Sequence, residues 1–210
     1  CISSAASDVY KRQAGLQSSM YAISNMIIQV AVNLLGTATV AAWSLSGKID
    51  GFYWACSNAA GIAVMNFAAQ NYGAGRMDRV HNCEKLSLKL FMGVTLLFSA
   101  LLLGVGRSVL PVFNDDAEVL AKTWQVMLYM VPLYFTWTYI EIISGVLRGI
   151  GDAVVPVIII GVGVCLLRVV WIATVYRSHP NMLNVCLAYP ISWIVTDVAF
   201  FFYYRRVKWL

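Results

Sequence analysis

The sequence predicts an all-α membrane protein, a bundle of six transmembrane helices. Of its 210 residues, 60% are hydrophobic and only 12% are charged, and the mean hydropathy is +0.72. A soluble domain is about half apolar and about a quarter charged, so the excess apolar surface must face something other than water, most simply lipid. The apolar residues also gather into runs long enough to cross a bilayer core, which takes about 20 residues.

Short segments of turn and capping residues separate these runs. The predicted spans cover about 15–36, 50–71, 86–106, 119–147, 153–176 and 184–204. The second is the weakest, because Lys48, Asp50 and many small residues lower its hydropathy. NYGAG (71–75) and RGIGD (148–152) predict glycine turns, and NDDAE (114–118) predicts an Asn or Asp cap. The loops are too short for a soluble domain, so any function must be built inside the bundle.

The basic residues indicate how the bundle lies in the membrane. The net charge of +5 comes mostly from short segments between apolar runs, which indicates topology and not nucleic-acid binding. The 72–85 loop, the 148–152 turn and the C-terminus carry more Lys and Arg than the opposite loops. We therefore expect a multi-pass protein of the plasma (inner) membrane with both ends of the bundle cytoplasmic. The cysteines and histidines form no metal-binding pattern, so we expect no metal site.

Several strings, in order along the chain, resemble the C-terminal six-helix lobe of the prokaryotic multidrug and toxic compound extrusion (MATE) family. They are FAAQNYGAGRMDRV (67–80), GVLRGIGDAVVP (145–156) and CLLRVVWI (165–172), with GLQSSM (15–20) and YPISW (189–193) in support. The resemblance covers about 14–210. Its motif residues are structural or gating candidates: Gln70, Asn71, Gly73, Gly75, Arg148, Gly149, Gly151, Pro156 and Arg168.

This resemblance implies a twelve-helix transporter of two lobes around a central cavity. It implies export of organic cations, drugs or other small amphipathic compounds in exchange for Na⁺ or H⁺, with no other cofactor and no enzymatic activity. Only one lobe is present, so the expected partners are membrane lipid, the substrate and a missing N-terminal lobe of the same chain.

Ionisable groups at membrane depth are costly, so each suggests a function. Glu141 and Asp197 lie roughly 10 Å and 12 Å from the cytoplasmic side at 1.5 Å per residue, so they could share a cavity and bind the coupling cation. Alternatively, each is hydrogen-bonded to nearby hydroxyl groups or water. Arg168 lies roughly 24 Å from that side, where it could snorkel, hold a neighbouring helix or contact substrate.

Two sets of residues are candidates for lining a substrate cavity. The aromatic side chains of Tyr134, Trp137 and Tyr139 could bind flat cations through their faces, although such rings also serve as packing or lipid-belt residues. Pro132 would kink this span and free a carbonyl. Gln17, Ser18 and Asn25 on the first span are polar residues that could line the same cavity or bond between helices. GVLRG (145–149) is a GxxxG motif that could bring helices close.

Two other functions fit parts of the pattern. A related flippase for a lipid-linked precursor would need a more strongly basic cavity, and a structural membrane subunit would need no cavity. An intramembrane enzyme is disfavoured, because the sequence has no HExxH or GxSxG motif and neither histidine lies at depth.

The segment SSAASDVYKRQ (3–13) differs from the rest of the chain. It matches the translation of a common transposase-based sequencing adapter, residue for residue. We therefore treat 1–13 as a non-native segment and 14–210 as the C-terminal transmembrane lobe.

Overall fold

The protein is helical throughout the part that the structure describes. The computed structural model describes the backbone of residues 4–207 and the side chains of residues 15–207. Eight α-helices occur in this range: α1 Ser4–Asn33, α2 Thr37–Gly73, α3 Met77–Val109, α4 Ala117–Met130, α5 Phe135–Gly149, α6 Val154–Ile160, α7 Leu167–Trp171 and α8 Met182–Val207. The predicted all-α class is confirmed.

The helices differ in how clearly they qualify as membrane spans. By length and hydropathy, three described segments qualify, namely Met77–Val112, Val154–Tyr176 and Met182–Val207, and the bent pair α4–α5 makes a fourth. The long helices α1 and α2 are not among these segments, and both carry polar side chains that line the cavity described below. Helix α2 begins at Thr37 and not near residue 50, so Lys48 and Asp50 lie inside a helix and not at its start.

The predicted turns and cap are confirmed. Gly75 and Gly151 have φ of 70° and 97°, the left-handed conformation that glycine adopts without steric cost. The Asp116 side chain caps α4 by accepting hydrogen bonds from the backbone N–H groups of Glu118 and Val119, at 2.8 and 3.3 Å. These turns and the cap fix where successive helices reverse direction.

The fourth span is bent by 51° between α4 and α5. Pro132 lies in the 3₁₀ turn Val131–Leu133 at the bend, where its missing N–H prevents a continuous helix. The Val131 carbonyl accepts a hydrogen bond from Ser99, and the Tyr134 carbonyl accepts one from Tyr53, at 3.0 and 3.1 Å. Neighbouring helices therefore satisfy carbonyls at the bend, and these carbonyls do not line a cavity.

Helices α2 and α5 approach closely along a line of small residues. A Cβ atom built on Gly145 would lie 2.9 Å from the Gly61 carbonyl oxygen, and one built on Gly149 would lie 2.7 Å from the Ala68 Cβ. The GxxxG motif at 145–149 therefore packs α5 against α2 of the same chain. This close crossing holds the cavity-facing side of α5 beside that of α2.

The fifth span contains two π-helical segments, Gly161–Leu166 and Ile172–Tyr176, on either side of the short helix α7. Two hydroxyl contacts tie this span to its neighbours. Tyr176 donates to the Ala31 carbonyl at 2.7 Å, and Arg168 donates to the Ser192 hydroxyl at 3.1 Å. Such π-helical segments often occur at functional sites. Arg168 lies between the two segments and lines the cavity described below.

Candidate functional site

A cavity of about 900 Å³ opens between α1, α2, α5 and the fifth span. Its size falls within the usual range of ligand pockets, about 300–1,000 Å³. Helix α1 contributes polar side chains, α2 a carboxylate and two tryptophans, and α5 a carboxylate and an arginine. The lining residues that carry polar, charged or aromatic groups are Gln17, Ser18, Tyr21, Asn25, Gln29, Trp43, Ser46, Asp50, Trp54, Asn58, Trp137, Glu141, Ser144, Arg148, Arg168 and Tyr189.

Two carboxylates line the cavity, Asp50 on α2 and Glu141 on α5. Neither forms an ion pair with a basic side chain in the described part of the chain. The Oδ1 atom of Asp50 is buried, and the Tyr134 hydroxyl lies beside the Asp50 carboxyl. The Glu141 carboxyl lies against the backbone of Gly61, so closely that a Cβ on Gly61 would stand 2.9 Å from the Glu141 Cδ and would collide with Oε1. A carboxylate that lines a cavity and has no ion-pair partner can accept a cation, a ligand or water there.

Two arginines also line the cavity, and they differ in how they are held. Arg148 is bonded to its own helix, since Nε donates to the Ser144 carbonyl and a terminal nitrogen donates to the Ser144 hydroxyl, at 3.2 and 3.3 Å. Arg168 is 4% exposed and stacks over the Tyr189 ring, with 4.0 Å between its Cζ and the ring centroid. The cavity therefore presents charges of both signs.

Aromatic rings form a wall of this cavity. Trp54 and Trp137 pack edge to face with 5.4 Å between centroids, and both contact the fully buried Trp193 at 5.9 Å. The Trp137 indole donates to the Ser57 hydroxyl at 3.0 Å, which fixes its orientation. A rigid wall of ring faces and edges suits a flat, partly apolar ligand.

The structure brings most of the predicted site residues to this cavity. Gln17, Ser18, Asn25, Trp137 and Glu141 line it. The motif residues Arg148 and Arg168, predicted as structural or gating residues, line it too.

Three predicted site residues lie elsewhere. Tyr134 is fully buried and stacks on Tyr53 at 4.6 Å between centroids. Asp197 is on α8 near Tyr139, and neither is among the residues that line the cavity. The expected shared site of Glu141 and Asp197 is therefore not formed in this structure, because equal depth in the membrane does not fix which face of a helix a residue occupies.

The contribution of α2 to the cavity was not predicted from the sequence. Trp43, Asp50, Trp54 and Asn58 all line the cavity, and they recur at intervals of whole helical turns. The predicted helix began only at about residue 50, so Trp43 and Asp50 fell outside or at the edge of it. Extending the helix to the glycine at 36 would have revealed a polar and aromatic stripe on one face.

This bundle of long apolar helices around a polar cavity defines a multi-pass membrane protein of the transporter class. The profile of the MatE family matches residues 14–174, and the chain belongs to that family, whose members are transporters and not enzymes. The resemblance seen in the sequence is therefore confirmed.

Individual relatives agree with this assignment. The chain is 22% identical over 195 residues to the probable multidrug resistance protein YoeA of Bacillus subtilis (strain 168), covering 92% of this chain and 42% of the relative. It superposes with a TM-score of 0.82 on an outward-facing multidrug resistance MATE family transporter of the MOP superfamily, at 19% identity over 89% of this chain and 42% of that one. The MATE transporter VcmN of Vibrio cholerae in its bent form gives a TM-score of 0.82 at 14% identity, covering 92% of this chain and 44% of VcmN. The chain thus spans less than half the length of these relatives.

Proposed function

We propose that the chain is the C-terminal lobe of a secondary active efflux transporter that exports organic cations or amphipathic drugs in exchange for Na⁺ or H⁺. The observation that carries this proposal is the pair of cavity carboxylates, Asp50 and Glu141, neither of which has an ion-pair partner in the described residues. Acidic side chains in a membrane cavity attract a coupling ion or a cationic substrate. The aromatic wall supplies the apolar and cation–π contacts that such a substrate needs.

The transport cycle in this proposal alternates which side of the membrane the cavity faces. The relatives are longer than this chain. In this proposal the additional length forms a second lobe, which would close the cavity from the opposite side. Entry of Na⁺ or H⁺ onto a cavity carboxylate would release the substrate outward. In this arrangement both ends of the lobe lie in the cytoplasm, as the distribution of basic residues favours.

The two alternatives from the sequence receive less support. A flippase for a strongly anionic lipid-linked precursor would need a predominantly basic cavity, and two carboxylates here offset the two arginines. A purely structural subunit has no need for buried acceptors that face a cavity.

The proposal is tested by dye efflux from an efflux-deficient bacterial strain that expresses the full-length gene containing this lobe. We expect extrusion of a cationic rhodamine ester, and loss of extrusion when the Na⁺ and H⁺ gradients are both collapsed. Extrusion that persists without either gradient would overturn the antiport mechanism, and absence of any extrusion would overturn the efflux function.

Substitution of Asp50, the cavity carboxylate on α2, tests its role in substrate binding. We expect Asp50→Asn to raise the KM for the cationic ester about five- to tenfold, because a charged hydrogen-bond acceptor is replaced by a neutral one. The measurement is the rate of ester uptake into inverted membrane vesicles. Asp115→Asn, in the exposed loop before α4, makes the same chemical change away from the cavity and should leave the KM as in the unmodified transporter.

A further inference from the structure

The proposed cation exporter does not explain Arg168. We propose that Arg168 is the receptor for a carboxylate, so that the cavity takes amphoteric substrates, with the anionic end on Arg168 and the cationic end on Asp50 or Glu141. This inference rests on the proposed efflux function and adds the substrate class to it. A site that binds only cations needs only the acidic side chains, and a positively charged side chain beside them weakens cation binding.

The side chain of Arg168 is buried, yet most of its hydrogen-bonding capacity is unused. It is 4% exposed, so it does not snorkel to the membrane surface. A guanidinium carries several N–H donors, and among the described residues only Nε–H is engaged, with the Ser192 hydroxyl at 3.1 Å. No described carboxylate forms an ion pair with Arg168. The terminal nitrogens are therefore available to a ligand in the cavity that Arg168 lines.

The surroundings hold the guanidinium in one orientation. Its Cζ lies 4.0 Å from the Tyr189 centroid and 5.9 Å from the Trp193 centroid. The bond to Ser192 fixes the Nε edge, so the opposite edge is held in place as a planar fork. Such a fork matches the two oxygens of a carboxylate, and a rigid fork loses little entropy when it binds one.

Among the described residues, the acidic groups of the cavity do not form ion pairs with Arg168. A buried arginine is costly unless it is paired, and Asp50 and Glu141 line the same cavity without pairing to it. A structural arginine would be expected to have paired with one of them. Charges of opposite sign kept apart in a cavity of about 900 Å³ are complementary to a flat molecule with an amine at one end and a carboxylate at the other.

The test compares two probes that differ only in this anionic group, a rhodamine with a free carboxylate and the methyl ester of the same rhodamine. Binding to the purified full-length transporter is measured by fluorescence anisotropy, and transport by efflux from cells. We expect Arg168→Gln to raise the ratio of the Kd for the carboxylate dye to the Kd for the ester at least tenfold, because a charge-assisted bidentate contact is lost. Arg168→Lys, which keeps the charge but not the fork, should give an intermediate ratio.

Two controls separate this role from a structural one. Ser192→Ala removes the bond that orients the fork but keeps the guanidinium, so the ratio should rise, and by less than in Arg168→Gln. Ester binding by Arg168→Gln, with a monodisperse elution profile, reports that the variant is folded. An equal loss of affinity for both dyes would overturn the carboxylate site and indicate a structural role.

The unmodified transporter distinguishes the two proposals. If it exports the ester but neither binds nor exports the carboxylate dye, the carboxylate site is wrong and the efflux function stands. If it exports neither dye, the efflux function is wrong, and the anisotropy ratio still decides whether Arg168 receives a carboxylate. If Arg168→Gln leaves the ratio unchanged, the carboxylate site is wrong whatever the transport result.

Discussion

Glu141→Gln is expected to reduce gradient-driven efflux at least tenfold while leaving the protein folded. The substitution keeps the shape of the side chain and its position against Gly61 but removes the group that can hold a proton or Na⁺. Without a cation site that changes occupancy, the gradient has no means of driving release. The measurement is the initial rate of dye efflux in cells, normalised to the amount of transporter in the membrane.

The structure supplies a matched control for this variant. Asp197 is the other acid that the sequence placed at the same depth, but it lies on α8 outside the cavity. Asp197→Asn should therefore keep at least half of the efflux rate. Equal loss of efflux in both variants would show that depth in the membrane, and not exposure to the cavity, decides which acid couples transport.

A second variant changes the position of the Glu141 carboxyl without changing the acid. A Cβ at Gly61 would collide with Oε1 of Glu141, so Gly61→Ala must push the carboxyl away from α2. We expect efflux to fall several-fold, with a shift in its dependence on Na⁺ or H⁺ concentration. An unchanged concentration dependence would show that the contact with Gly61 does not set the coupling site.

The sequence predicted the helices well because their signal is local. Apolar runs, the glycines of the two turns and the cap at Asp116 each act within a few residues, and all appear in the structure as expected. The second span was predicted from about residue 50, where hydropathy rises after Lys48 and Asp50, whereas the helix itself begins at Thr37. In the structure, Lys48 is exposed and Asp50 faces the cavity, so a charged residue need not end a helix.

The residues that line the cavity could not be predicted from depth along each helix alone. A linear depth estimate placed Glu141 and Asp197 together and separated both from Arg168. The fold instead puts Glu141 and Arg168 on one cavity, since the rotation of each helix, the bend at Pro132 and the two π segments decide which side chains face inward. Helical periodicity in α2 could have identified Asp50, but the crossing of α2 with α5 is a property of packing.

The largest effect on stability is expected for Gly149→Ala, where α5 crosses α2. A Cβ at this position would lie 2.5 Å from the Met65 carbonyl oxygen, 2.7 Å from the Ala68 Cβ and 3.1 Å from the Ala69 nitrogen. Two of these three atoms belong to the backbone of a long helix, so the helices must separate. Overpacking of this kind costs on the order of 1–3 kcal/mol.

Gly104→Ala on α3 is the matched control, because a Cβ there meets no atom within 4 Å. Both changes replace a helical glycine by alanine, which by itself favours the helix by about 1 kcal/mol. The control should therefore keep or raise the melting temperature of the purified full-length transporter, while Gly149→Ala lowers it by on the order of 5 °C. Gly149 is the last residue of α5 and gains less helix propensity than Gly104, so a melting temperature below that of the unmodified transporter is the result that reports the cost of separating α2 from α5. Equal melting temperatures would contradict the close crossing on which the shape of the cavity depends.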